Sequence, residues 1–87
     1  MSQSWVFGQA ADCDVVVQDE YVSTKHCKVT RNDDGTVTVE DLGSMNGTWI
    51  RPTTWRLNPG MRVYGPTPIQ PGWIIRIGRT DIPWTAR

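Results

Sequence analysis

Apolar residues along this chain come in short β-branched and aromatic runs. No window sustains the 3.6-residue apolar period of a helix. Trp5 to Phe7 reads as a strand stopped by Gly8, and Asp14 to Val17, with three consecutive valines, as a buried strand. From His26 to Thr30 the pattern alternates, Cys27 and Val29 on one face, Lys28 and Thr30 on the other. Thr36 to Glu40 alternates again, with Val37 and Val39 inward. Between them Asn32-Asp33-Asp34-Gly35 forms a hairpin turn, its glycine supplying a positive φ.

Further on, Trp49-Ile50 reads as a strand, Asn58-Pro59-Gly60 as a turn and Met61 to Tyr64 as another strand. Three prolines and two glycines make residues 64–72 a loop. Trp73 to Gly78 is a strong strand, with Trp73, Ile75 and Ile77 on one face, and Ile82 to Trp84 is a final edge piece. Short strands at this spacing, separated by turn signals, predict an all-β sandwich or barrel.

An 87-residue chain has room for one modest core, so residues 1–87 are expected to form a single domain with its core over about 5–84. Nine basic and nine acidic residues cancel, leaving no global field to draw the chain to nucleic acid or to a membrane surface. No apolar run reaches the ~18 residues of a membrane span, and the start lacks the pattern of a signal peptide. Cys13 and Cys27 share no metal-type spacing; buried free thiols in a reducing cytoplasm are the expectation. Five tryptophans, each in or beside a strand-like segment, are expected to pack in the core or at its rim.

Two loops concentrate hydrogen-bonding groups. Tyr21-Val22-Ser23-Thr24-Lys25-His26 offers two hydroxyls, an ammonium and an imidazole. Asp41-Leu42-Gly43-Ser44-Met45-Asn46-Gly47-Thr48 is dense in small polar residues and in glycines that expose backbone N–H groups. Donors arranged in this way suit an anionic or backbone-rich ligand. An enzyme is not indicated: Ser23 and His26 share a loop, but no Gly-x-Ser-x-Gly elbow or orienting acid accompanies them. A single histidine gives no multi-histidine metal site. Asp12, Asp14, Asp19 and Glu20 lack calcium-loop spacing and read as a solvated rim.

Taken in order, Gly8, then Ser23-Thr24-Lys25-His26, then Gly43-Ser44-Met45-Asn46-Gly47-Thr48, then Gly72-Trp73-Ile74-Ile75-Arg76-Ile77-Gly78 closely resemble the forkhead-associated (FHA) domain family. That family's signature is a Gly-Arg, a Ser-x-x-His, an Asn-Gly-Thr loop and a late Gly-x-x-Ile-x-Ile-Gly strand. The likeness runs from about Trp5 to Ile82. It implies a two-sheet sandwich of about eleven short strands, with the site on the loops at one end. It also implies a non-catalytic module, without cofactor or metal, that recognises phosphothreonine in partner proteins, in Ser/Thr protein kinase signalling. By the same resemblance Ser23 bonds the phosphate, Thr24 and Lys25 lie beside it, and Asn46 holds the peptide backbone. Gly8, His26, Ser44, Gly47 and Thr48 shape the loops.

Two positions depart from the pattern. Gln9 stands where the family places its phosphate-binding Arg, and Met45 where a hydroxyl residue is frequent. A hydrogen bond to a charged group contributes about 1.5–3 kcal/mol. A phosphate-independent protein-interaction domain is therefore the alternative reading. Lys25, Lys28, Arg31, Arg51 and Arg56 form either a basic rim that favours acidic peptide residues or scattered solubilising charge. Gly78-Arg79 follows the last signature strand and is not assigned to the phosphate. A carbohydrate-binding module rests on the tryptophan count alone.

Overall fold

The computed structural model describes residues 2–54 and 60–84. Nine strands form two sheets among these residues: β1 (Gln3–Gly8), β2 (Val15–Val16), β3 (Cys27–Arg31), β4 (Val37–Asp41), β5 (Thr48–Arg51), β6 (Met61–Val63), β7 (Thr67–Ile69), β8 (Ile74–Ile77) and β9 (Thr80–Pro83). One sheet runs β2-β1-β3-β4-β7 and the other β6-β5-β8-β9. The all-β sandwich and the alternating β3–β4 hairpin are as the sequence predicts. Trp55, Arg56 and the Asn58-Pro59 part of the expected turn lie outside the described residues.

The period-2 pattern builds the core. In one sheet Val29 faces Val39 across the β3–β4 pair, and in the other Ile50 faces Ile75. All four are essentially inaccessible. Fully burying such a side chain stabilises by roughly 1.5–3 kcal/mol. Trp84 is buried as well, its ring 5.4 Å from that of Trp5 and 6.4 Å from Phe7, while Trp5 and Trp73 pack half-buried against the cluster. Cys13 and Cys27 are buried free thiols.

Three sequence expectations change. Residues 64–72 are not one loop, because β7 lies within them and pairs with β4 through Thr38 and Pro68. β7 is an edge strand, where a proline's missing N–H leaves no ladder bond unmade. The valine run 15–17 is not a buried central strand. Only Val15–Val16 pair, parallel to β1 at the sheet edge, leaving Val16 exposed while Val17 turns inward. Asp14 and Asp19 are more than a solvated rim. The Asp14 carboxylate accepts the Val6 N–H at 2.8 Å, and Asp19 accepts three bonds described below.

Register places the working loops together. Phe7 pairs with Cys27 and Cys27 with Asp41, so the end of β1, the start of β3 and the end of β4 share one edge of their sheet. Thr48 and Ile77 pair, and Ile77 with Thr80, which brings the start of β5 and the β8–β9 turn level in the other sheet. The Thr48 hydroxyl joins the sheets at this end, donating to Asp41 Oδ1 at 2.7 Å.

Candidate functional site

The first loop docks against the end of β1. Gln9 N–H donates to Ser23 O at 3.0 Å, Ala10 N–H to Thr24 O at 3.2 Å, and His26 N–H to Phe7 O at 2.8 Å. This approach requires Gly8: a Cβ there would lie 2.1 Å from Thr24 O. The Cys13 thiol adds a bond to the same carbonyl at 3.1 Å.

His26 locks this loop to the second one. The Ser23 N–H donates to His26 Nδ1 at 3.0 Å, which assigns the ring proton to Nε2, and Nε2–H donates to Gly47 O at 2.7 Å. The imidazole is wholly buried. Ser23 Oγ accepts the Met45 N–H at 3.1 Å, and Asn46 Nδ2 donates to Tyr21 O at 2.8 Å. With the Leu42 N–H donating to His26 O at 3.0 Å, four cross-links join the loops among the described residues, and those made by Ser23 and Asn46 leave capacity over. Ser23 keeps its hydroxyl proton, and Asn46 keeps Oδ1 and a second amide proton.

Asp41 organises the second loop from beneath. Its carboxylate accepts N–H bonds from Gly43 at 3.0 Å and Ser44 at 2.9 Å, and hydroxyl bonds from Ser44 and Thr48. Ser44 Oγ in turn accepts the Gly47 N–H at 3.0 Å. Burial pushes the Asp41 carboxyl up, but these bonds together outweigh it and hold it below the ordinary 3.8. Gly47 turns with φ +89°, and the Arg62 guanidinium packs where a side chain would begin, stacked on Trp49 and Tyr64.

The loops enclose an open cleft of about 230 Å³ whose walls include Gln9, Tyr21, Ser23, Thr24, Met45 and Asn46. Gln9, Ser23, Thr24 and Asn46, singled out from the sequence, therefore meet at one place. Gly8, His26, Ser44, Gly47 and Thr48 lie behind it as supports. Lys25 is not in the wall; its ammonium pairs with Asp12 at 3.0 Å on the exposed surface. The Gln9 amide donates to Asp19 O at 3.2 Å. Among the described residues the only formal charge in the wall is the carboxylate of Glu20. A larger groove, about 350 Å³, lies at the opposite end of β3 and β4 among Pro68, Ile69, Pro71 and Trp84; its wall is mainly apolar.

Sequence reasoning missed Asp41 and Asp19 as organising residues. Asp19 accepts the N–H groups of Tyr21 and Arg79 and the hydroxyl of Thr80, each at 2.8 Å, and so ties the first loop to the β8–β9 turn. The signal was present: an Asp that bonds the N–H two residues on forms an Asx turn, as Asp19 does with Tyr21 and Asp41 with Gly43. The suggested basic rim is largely engaged, with Lys28 paired to Glu40 and Arg51 to Asp81.

Comparison with known proteins finds relatives of the same fold. The chain is 35% identical over 80 residues to the FHA domain-containing protein FhaB of Mycobacterium tuberculosis, and spans 92% of itself but 46% of that protein, about half its length. In fold it is similar to the FHA domain of the CT664 protein from Chlamydia trachomatis, with a TM-score of 0.77 at 24% identity, covering 91% of this chain and 71% of that one. It is also similar to the N-terminal FHA domain of Rad53p from S. cerevisiae, solved in complex with a phosphothreonine peptide, with a TM-score of 0.71 at 26% identity and 87% and 56% coverage. The profile of the FHA domain matches residues 5–78, and the chain belongs to the FHA domain family.

Proposed function

We propose that this chain is a non-catalytic module that binds a phosphothreonine-bearing segment of a partner protein in the cleft between its two loops. The observation that carries the reading is the joining of Ser23 and Asn46 into one wall by His26, which bonds both loops from behind. The phosphate accepts from the Ser23 and Thr24 hydroxyls, and Asn46 Oδ1 accepts a peptide N–H beyond the phosphothreonine. The phosphothreonine peptide bound by the Rad53p relative supports this assignment. The partner is a Ser/Thr protein kinase or a kinase substrate, met in a reducing compartment that suits two free thiols.

A phosphate-independent peptide module is the second reading. It is favoured by a specific observation: among the described residues no cation stands in the cleft wall, and the Gln9 amide already gives one N–H to Asp19 O. Titrating matched phosphorylated and unphosphorylated threonine peptides decides between the two. The first reading expects a phosphate preference of tenfold or more, about 1.4 kcal/mol. Equal binding of both peptides sinks it.

A further inference from the structure

The arginine of the β8–β9 turn stands beside the cleft although the sequence pattern gave it no role. Arg79 Cζ lies 4.4 Å from the centre of the Tyr21 ring, and Tyr21 is part of the cleft wall. Its backbone is fixed as well, since Arg79 N–H donates to Asp19 Oδ2 at 2.8 Å while the same carboxylate fastens Tyr21. Platform and cation are thus held by one aspartate.

The charge of this group is available, whereas four other cations are paired. Lys25 pairs with Asp12, Lys28 with Glu40, and Arg51 and Arg76 with Asp81. Arg79 is exposed, and its guanidinium makes no ion pair among the described residues. The contact with the Tyr21 ring takes up no hydrogen-bond acceptor, and no side-chain hydrogen bond engages the guanidinium among the described residues, so its N–H donors can meet a carboxylate. Asp19 feels the Arg79 charge, the least of the influences that lower its carboxyl, but the two form no ion pair: its oxygens accept the N–H groups of Tyr21 and Arg79 and the Thr80 hydroxyl.

We infer that Arg79, held on Tyr21, is a specificity-determining contact that selects an acidic side chain flanking the phosphothreonine in the partner peptide. The inference rests on the peptide-binding reading above and adds to it the chemistry of a second ligand group. The phosphate, placed at Ser23 and Thr24, lies inside the cleft, whereas the stack keeps Arg79 at its rim.

The test uses a degenerate peptide library with a fixed central phosphothreonine and the same library unphosphorylated, each bound to wild type and to Arg79→Gln. This variant keeps the main-chain bond to Asp19, and an unchanged thermal midpoint confirms its fold. Wild type is expected to enrich Asp and Glu at a flanking position, and Arg79→Gln to lose that enrichment. For a single acidic peptide against its Asn or Gln counterpart, the selectivity falls by about three- to tenfold. Arg79→Lys retains charge without the planar fork and keeps part of the preference.

Equal enrichment in both proteins, or none in wild type, overturns the inference. So does a uniform loss of all phosphopeptides in Arg79→Gln, which would put Arg79 on the phosphate itself. Failure of the peptide-binding reading looks different: wild type then binds both libraries equally. Acid selection in the unphosphorylated library still decides the role of Arg79 in that case, and absence of binding to either library overturns both readings.

Discussion

Ser23 and His26 are bound to one another within their own loop, the Ser23 N–H donating to His26 Nδ1 at 3.0 Å. Because Nδ1 accepts, the ring carries its proton on Nε2 and delivers it to Gly47 O in the opposite loop. A single buried side chain thus sets the position of the residue assigned to the phosphate and of the turn beside Asn46. Replacing it leaves a part-buried N–H and a buried C=O without partners and opens a cavity.

His26→Ala is therefore expected to lower stability by about 3 kcal/mol. In a domain of this size that is a fall of more than about 10 °C in Tm. Urea unfolding and a thermal scan measure it. Nitrogen NMR of the wild-type imidazole should show a single protonated nitrogen, Nε2. A spectrum with the proton on Nδ1 contradicts the loop geometry.

Asp41 makes the second loop acid-sensitive. Its carboxyl titrates below the ordinary 3.8, so its contribution is complete above that pH and is lost as pH falls through the depressed folded value. Asp41→Asn exchanges an acceptor for an amide that faces donors, and should cost about 1–3 kcal/mol at pH 7. Denaturation of both proteins across pH should show the gap closing below 3.8. A constant gap argues that the charge is not what holds the loop.

Cys27 should be chemically silent in the folded protein. Burial pushes its thiol up to about 12, Asp41 pushes the same way, and the Thr48 hydroxyl only partly offsets them. At pH 8 roughly one thiol in ten thousand is then ionised. In Cys13→Ser, the remaining thiol is expected to react with a disulfide reagent only as fast as the protein unfolds. Rapid labelling under native conditions would show that the thiol is reachable.

Two glycines separate steric from conformational cost. At Gly8 an added Cβ lies 2.1 Å from the Thr24 carbonyl oxygen, a backbone atom that cannot move without undocking the first loop. At Gly35, φ is +87° but nothing lies within 4 Å. Gly35→Ala should cost about 1–2 kcal/mol, the penalty of a left-handed L-residue. Gly8→Ala should cost more, about 3 kcal/mol, and should also weaken peptide binding. Urea denaturation gives the order, and the reverse order removes the argument for close approach.

What the sequence made legible followed from local rules. The β3–β4 hairpin was readable because alternation at Cys27, Val29, Val37 and Val39 matches one buried face and Gly35 marks the turn. β7 was hidden because Pro66 and Pro68 look like breakers, and only tertiary pairing with β4 shows Pro68 on an edge. Ser23, His26 and Asn46 were singled out by motif order, and the structure brings them together. The link between Asp19 and Arg79 was not legible, since the two lie 60 residues apart in the chain and meet only when the β8–β9 turn docks.

The last test concerns the residue where the family carries an arginine. Gln9 donates a neutral amide bond to Asp19 O at 3.2 Å and brings no charge to the cleft. Gln9→Arg supplies a guanidinium whose bond to a phosphate is worth about 1.5–3 kcal/mol. Phosphopeptide affinity is expected to rise about ten- to a hundredfold, with unphosphorylated peptide unchanged. Calorimetric titration of both peptides against both proteins reads this directly. If phosphopeptide affinity stays level, the cleft is not organised around a phosphate and the phosphate-independent reading gains. If both peptides gain equally, the new charge acts on the peptide at large, and the phosphate is not placed between Gln9 and Ser23.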